Sequence, residues 1–299
     1  MHENNPDGGK PKRHLINNSD DGIDNVGTGL APVLHPSDQP SPVLHPSPIQ
    51  ANTDLQPFFE GLRQLCIELT DEQLNQFLRY QQELLDWNTR MNLTSITNNE
   101  EVLTKHFLDS LSLLMAYDAP LAHVLDIGSG AGFPGLPLKI LRPQWHVVLL
   151  EATGKKVTFM RHIIETLHLH NVKAVHGRAE ELAHKADYRA SFDLVTARAV
   201  ASIPTLLEYA TPFTRSGGTM IFPKKGDLTG ELARGKRAAS QLGARFRDDI
   251  LVTLPGLDDG RRLLVWEQVS KCPEQYPRSG SLMAKKPLVH ERLNKSVVE

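Results

Sequence analysis

Residues 125–137 read Leu125-Asp-Ile-Gly-Ser-Gly-Ala-Gly-Phe-Pro-Gly-Leu-Pro137, and the β-rich run His123–Ile127 leads into them. Glycines at 128, 130 and 132 let a backbone turn tightly and approach a ligand without Cβ clashes. Pro134 and Pro137 suit the opening turn of a helix, where a missing N–H costs little. The segment therefore reads as strand, loop and helix in succession, which is the usual ligand position in open α/β sheets.

The same alternation extends outward from this loop. Further β-rich runs occur at His146–Leu150, Val172–His176, Phe192–Thr196 and Thr219–Phe222, separated by helical stretches at Leu136–Leu141, Lys155–Leu167, Ile203–Ala210 and Leu228–Leu242. Strands alternating with helices of this length predict an α/β fold with a mainly parallel sheet covered on both faces. The ending differs: Ile250–Leu254 and Leu263–Val269 flank Pro255-Gly-Leu-Asp-Asp-Gly260 and read as an antiparallel hairpin closing the sheet.

Upstream, Leu62, Leu65, Cys66 and Leu69 recur at helical spacing. Thr70-Asp-Glu-Gln73 then reads as a capping box before a helix patterned on Leu74, Phe77, Leu78, Gln81, Leu84 and Leu85. Another helix is expected over Glu101–Met115. Residues 53–118 are thus a helical front end packed on a core at 119–270. Residues 1–52 hold 8 of the chain's 20 prolines and a repeated Pro-Val-Leu-His-Pro-Ser, at 32–37 and 42–47. With so few bulky apolar groups this extension is expected to be disordered and carries no assigned chemistry. Residues 271–299 are expected to be a basic, flexible tail.

Composition narrows the function. Mean hydropathy is −0.31, and no apolar run approaches the ~18–20 residues of a bilayer crossing. The N-terminus lacks the apolar core of a secretory signal. Cys66 and Cys272 stand far apart without a CxxC, so neither a disulfide scaffold nor a cysteine zinc site is supported. A cytoplasmic protein is expected, with no membrane partner and no metal. The net charge of −2 conceals an asymmetry: residues 1–214 carry 17 Lys+Arg against 25 Asp+Glu, whereas residues 215–299 carry 16 against 10. A basic C-terminal third can contact a polyanion.

Gly130-x-Gly132-x-x-Gly135 formally matches a dinucleotide fingerprint. Asp126 points elsewhere. A carboxylate approaching the ligand repels pyrophosphate by ~4 kcal/mol at 4 Å near a protein surface, and it suits the ammonium and sulfonium of S-adenosylmethionine. No Lys-Ser/Thr pair follows the glycines, which excludes an ATPase loop of that type. Glu151, 23 residues beyond Gly128 at the end of the second strand, is placed to accept ribose hydroxyls. Gly177-Arg-Ala-Glu-Glu181 follows the third strand, at a position bordering adenine, where Ala179 offers backbone contacts and Glu180 a polar one. Arg198 ends the fourth strand and is costly to bury without partners; bracing a cofactor, contacting a phosphate and holding a guanine edge all fit it.

Taken together, Trp87-Asn-x-x-Met-Asn-Leu-Thr94, His106-Phe-Leu-Asp-Ser-Leu111, Asp126-Ile-Gly-Ser-Gly-Ala-Gly-Phe-Pro-Gly135, Gly177-Arg-Ala-Glu180, Ala197-Arg-Ala199 and Lys225-Gly226 closely resemble the RsmG (GidB) family of bacterial 16S ribosomal RNA guanine-N7 methyltransferases. The resemblance covers about Leu55 to Val269. It implies a class I S-adenosylmethionine-dependent methyltransferase fold, Rossmann-like, with a seven-stranded mostly parallel sheet. It also implies methyl transfer to N7 of one guanosine in the small-subunit RNA. Carried over, Gly128, Ser129, Gly130 and Phe133 become cofactor contacts, Ala179 and Glu180 the pair near adenine, and Arg198 a further cofactor-site residue. The implied partner is 16S ribosomal RNA or a small-subunit assembly particle; the oligomeric state is not read from the sequence, and a monomer is the expectation.

Guanine N7 exposes a lone pair and carries no proton in the neutral base, so no proton-transfer residue is nominated. His106 and Asp109 are assigned to packing the front end on the sheet, and His162, His168, His170 and His176 to surface or edge positions. Arg90, Asn92, Lys224, Lys225, Arg261 and Arg262 are the candidate RNA contacts, as basic or amide groups near the cofactor edge. A non-catalytic RNA-binding assembly factor and an NAD-dependent oxidoreductase are the alternative readings.

Overall fold

The computed structural model describes residues 55–288; the expectations for residues 1–52 and 289–299 lie outside them. Seven strands, β1 (His123–Ile127), β2 (His146–Glu151), β3 (Val172–His176), β4 (Phe192–Thr196), β5 (Thr214–Lys224), β6 (Ala244–Leu251) and β7 (Arg262–Gln268), form one sheet in the order β3-β2-β1-β4-β5-β7-β6. The first five pair in parallel, while β7 runs antiparallel between β5 and β6. The expected alternation and terminal hairpin are both present. Two strands differ from their expected bounds by more than one residue at an end: β5 begins at Thr214 and ends at Lys224, and the first hairpin strand runs from Ala244 to Leu251, not Ile250 to Leu254.

Side chains of successive strand residues enter different cores. Val124, Val147 and Leu149 join the front-end core, whereas Leu125, Ile127, Val148 and Leu150 join the opposite one. Strands buried on both faces explain why these runs are apolar throughout. Helices α5 (Gly135–Leu141) and α6 (Gly154–Thr166) cover the first face together with the front end; α8 (Ile203–Ala210) and α9 (Thr229–Gln241) cover the second.

In the front end, α1 spans Gln56–Gln64 and α2 spans Asp71–Asn88. Leu65, Cys66 and Leu69 fall outside α1, because Cys66 adopts φ 55° and ends the helix. The Thr70/Gln73 capping box opens α2 as its sequence requires. The buried face of α2 is Phe77, Tyr80, Glu83 and Leu84, so Tyr80 takes the inward position expected of Gln81. The helix expected over 101–115 is irregular: α3 (Asn99–Val102) passes into a π-helix at Leu103–Leu108, then α4 (Asp109–Leu111), then a 3₁₀ turn at Ser112–Met115.

Residues 271–288 correct the expectation of a flexible tail. The Arg189 guanidinium donates to the carbonyls of Cys272, Pro273 and Tyr276. Arg278 forms a fork with Glu208, Nε to Oε1 and Nη2 to Oε2 at 2.7 Å each, and a short helix, α10 (Gly280–Lys285), follows with Met283 buried. Glu208 is 1% exposed in its side chain, so its charge depends on that fork. Arg278→Ala should lower the unfolding free energy in urea by about 3–5 kcal/mol, the usual cost of stranding a buried charge. Glu208→Gln in the same background should recover part of the loss.

Candidate functional site

The carboxyl ends of β1 to β4 converge on the glycine loop. Gly128 and Ser129 both donate their N–H to the Leu150 carbonyl, at 2.7 and 3.2 Å. Gly130 N–H donates to Glu151 Oε2 at 3.0 Å, and Thr153 N–H caps Glu151 Oε1 at 2.8 Å. Next along the edge, Gly177 N–H reaches the Glu151 carbonyl at 3.1 Å, which sets the start of α7 (Ala179–Leu182) beside β2. Gly128, Gly130 and Glu151 thus form one hydrogen-bonded unit, with Ala179 and Glu180 at its side.

Gly128, Gly130 and Gly132 have φ of 69°, 61° and 99°, a region that excludes most side chains. Their surroundings differ. A Cβ on Gly132 would strike Leu136 and the Tyr80 hydroxyl, whereas one on Gly130 would meet only the Gly128 carbonyl, at 4.0 Å. Gly132 is needed for packing; Gly130 leaves open space beside a carboxylate. Each Glu151 oxygen accepts one backbone N–H and keeps a further lone pair. The donor set and the cradle fit an adenosine cofactor whose ribose hydroxyls donate to Glu151.

Other expected contacts are committed to the protein itself. The Ser129 hydroxyl donates to the Asp126 carbonyl at 2.9 Å and is buried. The Phe133 ring is buried between Tyr80 and His106, with centroids 5.4 and 4.4 Å away. Glu180 pairs with Arg178 at 3.7 Å. Arg198 lies with its guanidinium 5.1 Å from the Phe133 ring centre; it donates to Asp109 Oδ2 at 2.7 Å and approaches His106 Nδ1 at 3.3 Å. In these contacts Arg198 braces the protein's own Asp109, His106 and Phe133.

Asp109 is the residue that spacing did not single out as a hub. Its other oxygen, Oδ1, pairs with Arg261 at 2.6 Å, and its side chain is 3% exposed. One carboxylate from the front end therefore joins the end of β4 to the hairpin. The Tyr80 hydroxyl adds a second joint by donating to the Ala131 carbonyl. The only local signals were an inward Tyr three residues after Phe77 and the His106/Asp109 spacing on one helix.

The expected RNA contacts divide. Arg261 is spent on Asp109 and Asp259, Arg262 on Asp249 at 2.6 Å, and Lys224 on Glu231 at 2.9 Å and the Ala201 carbonyl. They are held in ion pairs, not presented as free cations. Lys225 is exposed and 3.6 Å from Asp259; Arg90 is exposed, pairs with Asp86 and lies over Trp87; Asn92 is exposed. His162 pairs with Glu83 at 2.7 Å, and His176 approaches the Ala152 carbonyl at 3.0 Å.

Asp126 also differs from its expected role. It is fully buried, accepts the Gly135 N–H through Oδ2 at 3.0 Å, and has no hydrogen-bond partner at Oδ1. Burial pushes its carboxyl up to about 7, against the opposing pull of the Gly135 N–H. A group so readily protonated repels diphosphate less than the sequence argument assumed, and its visible role is to anchor the start of α5.

The seven-stranded order, the antiparallel β7 and the glycine loop over the β1 end define the class I methyltransferase fold. Residues 73–248 match the family described as rRNA small subunit methyltransferase G, or GidB. The chain is 48% identical over 229 residues to a ribosomal RNA small subunit methyltransferase G of Dehalococcoides mccartyi, covering 77% of this chain and 97% of that protein. It is 43% identical over 236 residues to the protein so named of Lachnoclostridium phytofermentans, covering 79% and 98%. Among solved structures, a precorrin-6y C5,15-methyltransferase of Geobacter metallireducens aligns with TM-score 0.42 and 15% identity over 55% of this chain and 88% of that one. The chain belongs to the rRNA small subunit methyltransferase G family.

Two buried groups give the site opposite pH dependences. Asp126 binds its proton more tightly folded than unfolded, so its contribution to stability erodes as pH rises from about 4 through about 7. Burial, then the Arg198 charge, holds His106 down at about 3; its contribution is complete above about 6.5 and is lost as pH falls toward 3. Asp126→Asn keeps an acceptor for Gly135. It should gain about 2–4 kcal/mol on wild type between pH 4 and 8 in urea unfolding. His106→Gln should gain on wild type as pH falls from 6.5 to 4. Curves parallel to wild type would show that neither group titrates in this way.

Proposed function

We propose that this protein transfers a methyl group from S-adenosylmethionine to N7 of a guanosine in the 16S ribosomal RNA of the small subunit. The observation that carries the reading is the open cradle at Gly130 beside Glu151, in a member of this family. Gly128 and Gly130 lie against the cofactor, Glu151 accepts its ribose hydroxyls, and Ala179 and Glu180 border its adenine. Arg198, Ser129 and Phe133 hold the walls of the site in place. When bound, the cofactor supplies an electrophilic methyl group on a sulfonium.

Guanine N7 needs no deprotonation before it attacks, so the protein's task is alignment and exclusion of water. Orientation of this kind contributes up to ~7–11 kcal/mol. The loop's hydrogen bonds to Leu150 and Glu151 fix the cradle before substrate arrives, and the pinned Arg198 fixes the neighbouring edge. Because the carboxyl of Asp126 is held near neutrality and the chain belongs to a methyltransferase family, the choice of cofactor rests on the family and on the Gly130–Glu151 cradle, not on repulsion of diphosphate. The substrate is 16S RNA, free or within an assembling particle, met in the cytoplasm by a monomer.

Calorimetric titration should show saturable binding of S-adenosylmethionine. Glu151→Ala should weaken it about ten- to a hundredfold, the worth of lost hydrogen bonds to a charged group, with Glu151→Gln between. Mass spectrometry of 16S RNA from cells lacking the gene should show one N7-methylguanosine absent. Tight RNA binding without methyl incorporation would instead make the protein an assembly factor, and saturable uptake of NADH an oxidoreductase.

A further inference from the structure

We infer that the flank built by α9 and β6 grips the phosphate backbone of the substrate RNA, several strands away from the cofactor cradle. This deepens the rRNA reading above and rests on it for the identity of the polyanion. Residues 232–247 contain five Lys and Arg and no Asp or Glu. Lys236 and Arg237 are exposed on α9, and Arg245 and Arg247 on β6, the outermost strand of the sheet. Among the described residues, Arg234, Lys236, Arg237 and Arg247 have no carboxylate within 4.0 Å, whereas Arg245 pairs with Glu267. The cations at the hairpin end, Arg261 and Arg262, are already spent on aspartates.

Packing brings the cations of α9 up to the edge strand. Helix α9 buries only small residues, Gly235, Ala238 and Ala239. A Cβ on Gly235 would stand 2.4 Å from Ile203 of α8 and 3.2 Å from Trp266 of β7, so the helix packs flush against both and its charged side chains project at the rim. Lys236 Nζ sits 4.5 Å from the ring centre of Phe246 on β6, so helix and edge strand meet there, while Arg245, paired with Glu267, lies on the other face of the strand. The 13 residues of α9 span about 20 Å, starting just beyond Lys224 and Lys225 at the carboxyl edge of the sheet. The charge thus forms a patch along the flank, set apart from Lys225 by Asp227 and Glu231. Clustered like charges repel one another, and guanidinium groups match phosphate oxygens two at a time. An RNA strand continuing past the target nucleotide is the occupant that this chemistry fits.

The test is Arg237→Glu with Arg247→Glu in the full chain, with Lys173→Glu and Lys185→Glu, exposed at the β3 side of the sheet, as the control pair of equal charge change. Filter binding to a 16S RNA transcript should weaken about tenfold or more for the first pair and little for the control. The slope of log affinity against log salt should become shallower by about 1.4–1.8, for two phosphates no longer contacted. In methylation assays the loss should appear in KM rather than kcat, and calorimetry should show the cofactor site intact. Unchanged RNA affinity and slope in the folded double variant would overturn the inference. So would unchanged affinity for bare RNA combined with weaker binding to small subunits, which would assign the flank to a ribosomal protein. If wild type binds RNA through this flank but transfers no methyl group, the flank stands and the methyltransferase reading falls.

Discussion

A single buried carboxylate sets the geometry of this molecule. Asp109 gives one oxygen to Arg198 at the end of β4 and the other to Arg261 from the hairpin. A charge this deeply buried is tolerable only while it is paired, so three segments distant in sequence must arrive together. The stack of Tyr80, Phe133 and His106 lies against Arg198 and carries the same constraint into the glycine loop. The front end is therefore part of the wall of the site.

The loop itself is held from the other side by the end of β2. Leu150 and Glu151 supply the acceptors that fix the N–H groups of Gly128, Ser129 and Gly130. Burial pushes both Asp126 and His106 toward their neutral forms. Glu151 and Arg198 have hydrogen-bond partners before any ligand enters. A polar site arranged in advance needs little reorganisation when charge redistributes in a reaction.

The parallel sheet, the hairpin and the α2 cap were legible in the sequence because each depends on neighbours within a few residues. The strand–loop–helix reading at 125–137 needed only glycine and proline chemistry. What stayed hidden was long-range. Nothing in the spacing of Asp109 and Arg198, 89 residues apart, announces a contact. Arg261 and Arg262 read as free cations because their aspartate partners are identified only by the fold. The basic segment after residue 270 read as a flexible tail because Glu208, the partner of Arg278, lies far off in sequence on α8. Asp126 was placed at the right loop, but its burial could not be read from its position two residues before a glycine.

The π-helical turn at Leu103–Leu108 holds one residue more than a regular helix would across the same stretch. Such turns are wider than α-helical ones by one residue in the hydrogen-bonded ring, and each residue of an α-helix advances the chain by about 100°. An extra amino acid in a regular helix would swing everything after it by more than a quarter turn, and the wide turn absorbs that swing. Asp109 accordingly still faces both arginines. The turn thus acts on the site as a correction of angle, made in the front end and far from any ligand in sequence.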